Sequence, residues 1–244
     1  MTALVVRAER WFKARRRAGS RRWATRLAVA VVAVTAVVVT GFFLANSSLF
    51  ALRYVTVEGT SRLTPHEVLS AAGVREGTSL VSLNPGAVAQ RVERLTPVAV
   101  AHVSRNWPHG LVIHVVERRA AGVVVSGGTV ELLDATGVAF ASAQSPPHGL
   151  VTVDVPGPVP GPGEAAARTA MRVLAELPGR VRAQVTSVTA RSIDAVSVHL
   201  DDGRTVIWGS AADGSTKAAV LRTLMRRHAQ VYDVSTPTVA VTRG

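Results

Sequence analysis

The sequence predicts an α+β protein: an N-terminal transmembrane helix, a small three-stranded sheet with two helices, then a mixed β-sheet domain with two more helices. Three observations carry this. Residues 27–45, LAVAVVAVTAVVVTGFFLA, form an uncharged apolar run of 19 residues. At about 1.5 Å per residue such a helix is roughly 28 Å long, close to the ~30 Å hydrocarbon core of a bilayer. Second, residues 53–117 read as strand, helix, helix, strand, strand. Third, after Arg118 the texture changes to short β-branched segments broken by Gly and Asp, with only two helical patterns among them.

The anchor is read first. Before Leu27 stand nine basic residues and one acid, Glu9, so the segment carries +8 of the chain's +12. Positive charge beside a spanning helix stays cytoplasmic. The N-terminus is therefore expected inside and the C-terminus extracytoplasmic, with Trp23 and the pair Phe42 and Phe43 near the two interfaces. A cleaved signal peptide would have a shorter apolar core and a small-x-small cleavage site, which Ala45-Asn46-Ser47 does not offer. Attraction of the basic segment to anionic headgroups is expected, and no nucleic-acid partner is, because the topological role accounts for the charge.

In the first module Arg53 to Glu58 alternates as a strand, with Val55 and Val57 on one face. Thr64-Pro65-His66-Glu67 is a capping box that opens a helix to about Ala72, ended by Gly73. Asn84-Pro85 opens a second helix carrying Val88, Val92 and Leu95. Val98 to Ser104 and Leu111 to Glu117 are strands around the turn RNWPHG. Two helices on one face of three strands make a small α+β unit.

In the second module Val123–Val125, Thr129–Leu133, Val138–Phe140 and Val151–Val155 are short strands. PGPVPGPG, residues 156–163, must be a loop. Glu164 to Leu177 is a helix that buries Met171, Leu174 and Leu177. Val185–Thr189, Ala195–Leu200 and Arg204–Trp208 are strands, the last two joined at Asp201-Asp202-Gly203. Ser215 to Ala229 is a helix with Leu221, Leu224, Met225 and His228 on one stripe. An extended stretch runs from Val231 to about Val241. Pro237 within it places it at a sheet edge or stops it. The expected organisation is a basic cytoplasmic segment, 1–26, a transmembrane helix, 27–45, and two modules, 52–119 and 120–241.

No catalytic pattern stands out. The chain has no cysteine, which excludes disulfides and thiolate chemistry. The seven histidines, 66, 102, 109, 114, 148, 199 and 228, include no helical i, i+4 pair. There is no nucleophile elbow, phosphate loop or dinucleotide fingerprint. Gly161-Pro162-Gly163 has the spelling of G-x-G, but its proline lacks the N–H a phosphate would need. Asp201 and Asp202 read as turn residues. No catalytic residue, metal site, cofactor or small-molecule substrate is expected, and a binding or scaffolding role fits better than an enzyme.

Several stretches, in order, carry a resemblance. LFALRYVTVEGTSRLTPHEVLSAAGVREGTSLVSLN is similar to the start, and VAVAHVSRNWPHGLVIHVVERRAAGVV to the end, of the POTRA domain of the cell-division family FtsQ/DivIB. VELLDATGVAF resembles the hairpin that opens that family's β domain. Lys217 with Leu221 and Leu224, followed by YDVSTPTVAVTR, resembles its last helix and terminal strand. The resemblance implies a non-enzymatic membrane protein of the division septum. It would bind FtsB-like and FtsL-like membrane proteins, with other divisome components, and help control septal peptidoglycan synthesis. It implies that an FtsB segment adds a strand to the terminal strand of the sheet. The corresponding positions are Arg226, Arg227, Tyr232, Asp233, Val234, Ser235 and Thr236. Simple packing against the preceding helix is an alternative for Tyr232 and Val234. Two other readings are a POTRA protein of another assembly system, which would need repeated units and a barrel, and an anchored cell-wall enzyme, which would need a metal or nucleophile set.

Overall fold

The computed structural model describes residues 23, 25–43, 48–126 and 128–243. Most of the basic segment and the last two residues of the expected span, 44 and 45, lie outside the described residues. The apolar run forms helix α1, Thr25–Phe43, long and apolar enough to cross a membrane and exposed along its length. The fold is α+β, as the sequence predicts.

The small sheet holds β1 (Tyr54–Glu58), β2 (Val98–Asn106) and β3 (Gly110–Glu117) in the order β1-β3-β2. β1 runs parallel to β3, with Tyr54 opposite Gly110, and β2 runs antiparallel to β3. Alternation turns Leu111, Ile113 and Val115 inward, where they meet Val68 and Ala72 of α2 (Pro65–Ala72) and Val88 and Val92 of α3 (Pro85–Val92). The local signals act as read. Thr64 accepts from the Glu67 N–H while the Glu67 carboxylate accepts from the Thr64 N–H, and Gly73 closes α2 in the left-handed region. Asn84 caps α3 by accepting from the Ala87 N–H. Leu95, expected on that helix, falls beyond its end and still packs on the core. Gly59 has φ 82°, and a Cβ there would sit 2.2 Å from the Val115 carbonyl oxygen, so the turn after β1 requires glycine.

The large sheet has nine strands: β4 (Gly122–Ser126), β5 (Thr129–Leu133), β6 (Ala139–Ala143), β7 (Val151–Asp154), β8 (Val185–Ser192), β9 (Ala195–Leu200), β10 (Thr205–Gly209), β11 (Val231–Asp233) and β12 (Val241–Arg243). Their order is β12-β11-β10-β9-β8-β7-β4-β5-β6. Helix α4 (Glu164–Glu176) links the parallel pair β7 and β8, and α6 (Gly214–Leu224) links the parallel pair β10 and β11. One core joins Ala167, Met171 and Leu174 of α4 and Leu221 of α6 to Val188, Val198 and Trp208 of the sheet. A smaller cluster of Val123, Val130, Leu132 and Phe140 forms beside it.

Three expectations need correction. α6 ends at Leu224, not Ala229, so His228 is exposed beyond the helix and not on its buried stripe. The cause is a tightened last turn: Arg226 and Arg227 donate to Thr223 and Leu224, three residues back. A short helix, α5 (Gly179–Arg182), fills a stretch with no sequence signal. The terminal stretch is not one extended strand. It is β11, a 3-10 turn at Pro237–Val239, and β12 returning antiparallel to β11.

Between the two sheets Arg118 acts as a clamp. Its Nε donates to the Thr96 carbonyl, 3.0 Å away, and its guanidinium pairs with Asp134, which is 7% exposed. Asp134 also accepts from the Thr136 N–H, the Thr136 hydroxyl and the Val138 N–H, shaping the turn from β5 to β6. Arg62 lies 5.3 Å over the Phe140 ring, a second tie between the modules. Glu117, the last residue of β3, accepts from the backbone N–H groups of Ser61, Arg62 and Leu63 and from the Ser61 hydroxyl. Desolvation pushes its pKa up, but these donors outweigh it and hold the carboxyl at about 2.

Two outcomes follow. We propose that 52–119 and 120–241 are separable folding units, with Arg118 bridging them. Asp134→Ala should then cost about 2–3 kcal/mol in urea unfolding, because it strands Arg118 and three donors, and should speed limited proteolysis near residues 118–121. Unchanged stability would show that the clamp is ornamental. Glu117 has a folded pKa below its unfolded value of about 4.3. Its contribution is thus fully present above pH ~4.3 and lost as pH falls toward 2. Urea midpoints of Glu117→Gln should lie below wild type at pH 7 and converge on it between those limits.

Candidate functional site

The seven residues singled out near the C-terminus occupy the end of the large sheet but do not form one exposed strand. The Val234 N–H donates to the Ile207 carbonyl at 2.9 Å, and the Thr205 N–H to that of Gln230 at 2.9 Å. With Val206 opposite Tyr232, these bonds turn the backbone groups of Tyr232 and Val234 toward β10. Those of Val231 and Asp233 turn toward β12, where their partners are Arg243 and Val241. β11 is therefore interior to the sheet, and the backbone from Val231 to Ser235 is already engaged. The physical reason is the turn at Pro237, which reverses the chain and lets its own last residues pair with β11. The sheet ends on β12 instead. Since Val241 and Arg243 face β11, Thr242 is the residue of β12 whose N–H and C=O face outward.

The side chains sort accordingly. Tyr232 and Val234 are fully buried, and the Tyr232 hydroxyl donates to the Arg227 carbonyl at 2.7 Å, tying β11 to the end of α6. Asp233 accepts from the Ser235 N–H and hydroxyl, so Ser235 has no free backbone donor. Thr236 is exposed and its carbonyl accepts from the Val239 N–H in the 3-10 turn. Arg226 and Arg227 are exposed just after α6.

Arg226 belongs to a feature the sequence did not disclose. Between α5 and α6 lies a groove of about 780 Å³ lined by Arg180, Arg204, Arg222 and Arg226, with Glu176 as its one acid. Pro178, Val181 and Met225 give it an apolar part. Such a surface suits an acidic segment with an apolar anchor. The arginines come from three separate segments, α5, the β9–β10 turn and the end of α6, so no run of basic residues could have announced it.

Lys217 fixes α6 against β10. It is 2% exposed, and its Nζ donates to the carbonyls of Trp208 at 3.1 Å and Ser210 at 2.8 Å. Burial lowers its pKa, partly offset by Asp213 and Glu176. Its role is positional, because the buried Nζ directs its two hydrogen bonds to main-chain carbonyls. Among the described residues no three His, Cys, Asp or Glu side chains gather as a metal site. His199 is flanked by the hydroxyls of Thr189 and Thr205 at 3.2 and 3.3 Å, and His109 lies 3.1 Å from the Ala51 carbonyl.

Comparison with known proteins agrees with the geometry. Residues 50–118 match the model of the POTRA domain, FtsQ-type, and residues 122–238 that of the cell division protein FtsQ/DivIB, C-terminal. A cell division protein FtsQ from Streptomyces collinus is 36% identical over 241 residues, covering 91% of each chain. One from Streptomyces bingchenggensis is 37% identical over 243 residues, covering 95% of this chain and 91% of the relative. One from Mycobacteroides abscessus is 33% identical over 213 residues, covering 87% of this chain and 67% of the relative. The major extracytoplasmic domain of DivIB from Geobacillus stearothermophilus is 21% identical with a TM-score of 0.32, over 46% of this chain and 98% of that one, a likeness too slight to add to these. An FtsQ-type POTRA module followed by an FtsQ/DivIB C-terminal module, with full-length relatives at this identity, places the chain in the FtsQ/DivIB cell-division family.

Proposed function

We propose that the chain is a non-enzymatic scaffold of the division septum. It is held in the cell membrane by α1, with its N-terminus cytoplasmic and its C-terminus outside. It binds FtsB-like and FtsL-like membrane proteins, among other divisome components, and through them bears on septal peptidoglycan synthesis. Membership of the family supports the division role. The +8 segment before α1 supports the orientation.

The observation that carries partner binding is the outer edge of β12. A short strand with an outward N–H and C=O at Thr242 can accept an added strand, whose affinity comes mainly from the main chain. The region proposed from the sequence remains the partner region, with altered roles. Tyr232, Asp233, Val234, Ser235 and Thr236 build the support beneath β12, and Arg226, with Arg227 beside it, contributes charge at the basic groove. An acidic stretch of the partner fits that groove.

Thr242→Pro removes the outward donor and spares the bonds to β11. In the full chain reconstituted in nanodiscs it should weaken binding of the FtsB-like extracytoplasmic segment about tenfold, the equivalent of ~1.4 kcal/mol, or one to two backbone hydrogen bonds. Thr242→Ala should leave binding within about twofold, since the main chain carries the affinity. The double variant Arg222→Glu with Arg226→Glu should weaken binding mainly at low salt. A folded Thr242→Pro that binds like wild type would move the partner site off this edge.

A further inference from the structure

One end of the small sheet carries an apolar tip that the partner-binding role does not use. Tyr54 pairs with Gly110, so the start of β1 and the turn between β2 and β3 lie at the same end. The segment around residues 78–83 joins them: the Leu52 N–H donates to the Thr78 carbonyl, and the Leu80 N–H to that of Phe50, each at 2.8 Å. Arg105 locks the arrangement by donating to the Leu80 and Leu83 carbonyls, with its guanidinium 5.9 Å from the Trp107 ring centre. On this base Phe50 and Trp107 meet edge to face at 5.4 Å. Large apolar side chains stand out around them: Leu49 is 57% exposed, Trp107 50%, Tyr54 49% and Val81 42%. The opposite end of β3, at Glu117, leads into the large sheet.

The chain itself says what lies next to this tip. α1 ends at Phe43 and the 3-10 turn Ser48–Phe50 begins five residues on. Five steps span at most roughly 18 Å. The headgroup layer on each side of a bilayer is itself about 5–8 Å deep. Given α1 as a membrane span, the tip cannot leave the neighbourhood of the outer leaflet, and an exposed Trp beside Phe and Leu is the composition that favours the interface. Exposed Arg53, next to Tyr54, can meet lipid phosphates.

We propose that this tip, formed by Leu49, Phe50, Val81 and Trp107, docks on the outer leaflet of the membrane that α1 crosses. Docking stands the small domain on the bilayer and points the large sheet away from it. The inference rests on the anchor reading.

The chain lacks cysteine, so single reporters can be placed cleanly. Asn106→Cys, beside Trp107, reports the tip. Val116→Cys, exposed on β3 and six residues from Gly110, lies roughly 20 Å away along the strand. Val34→Cys reports α1. Each is labelled with an environment-sensitive fluorophore in the full chain, in nanodiscs of lipid alone, and quenched by lipids bearing a nitroxide at the headgroup or mid-chain. Headgroup quenching at 106 should exceed that at 116 at least twofold, and Leu49→Ser with Trp107→Ser should abolish the difference while leaving Val34 quenched mid-chain. Equal quenching at 106 and 116 with Val34 still quenched would overturn the docking alone. An unquenched Val34 would overturn the anchor reading and the docking with it.

Discussion

The parallel pairing of β1 with β3 gives the protein its polarity. β1 is the first strand after the anchor, and its register on β3 puts the chain's entry at the same end as the Trp107 turn. β3 then leaves at the far end, where Arg118 and Ala121 lead into β4. Entry and exit at opposite ends of one small sheet separate the end that follows α1 from the end that carries the large sheet. Had β1 run antiparallel to β3, α1 and the second module would have led off the same end. The turn at Gly59, where the Val115 carbonyl leaves no space for a Cβ, and the Glu117 carboxylate that gathers residues 61–63 both hold β1 in this position.

The large sheet extends the same logic. Its helices serve as parallel crossovers, α4 between β7 and β8 and α6 between β10 and β11, so both pack on the face that holds the main core. The sheet is left with two edges, β6 and β12. β12 is short and exposed, with Val241 43% accessible, and it sits close after a turn at Pro237. A short edge strand limits indiscriminate pairing and leaves one outward backbone position, at Thr242. The buried Lys217 and Tyr232 fix α6 and β11 from within, so the edge rests on a rigid base.

Much of this was legible where the signal is local. The capping box at Thr64 and Glu67, the Asn84 cap, Gly73 and the turn at Asp202-Gly203 each depend on neighbours within four residues, and each acts as read. What escaped was set by distant partners. His228 continues the helical period, but α6 stops at Leu224, where the carbonyl of nearby Arg227 is taken by the Tyr232 hydroxyl. β11 had the composition of an edge strand, yet three residues with no periodicity, Val241–Arg243, cover it. Glu117 and Asp134 read as the end of a strand and a turn, while their work is done on residues 61–63 and on Arg118. The basic groove likewise exists only in three dimensions.

The proposed partner edge is β12, at one end of the large sheet. Amide hydrogen exchange of the full chain in nanodiscs, with and without the extracytoplasmic segment of an FtsB-like protein, distinguishes this edge from a site on the small sheet. Added protection is expected at Val241–Arg243 and around the end of α6, with the small sheet unchanged. Protection confined to the small sheet, with β12 exchanging as in the free protein, would contradict it.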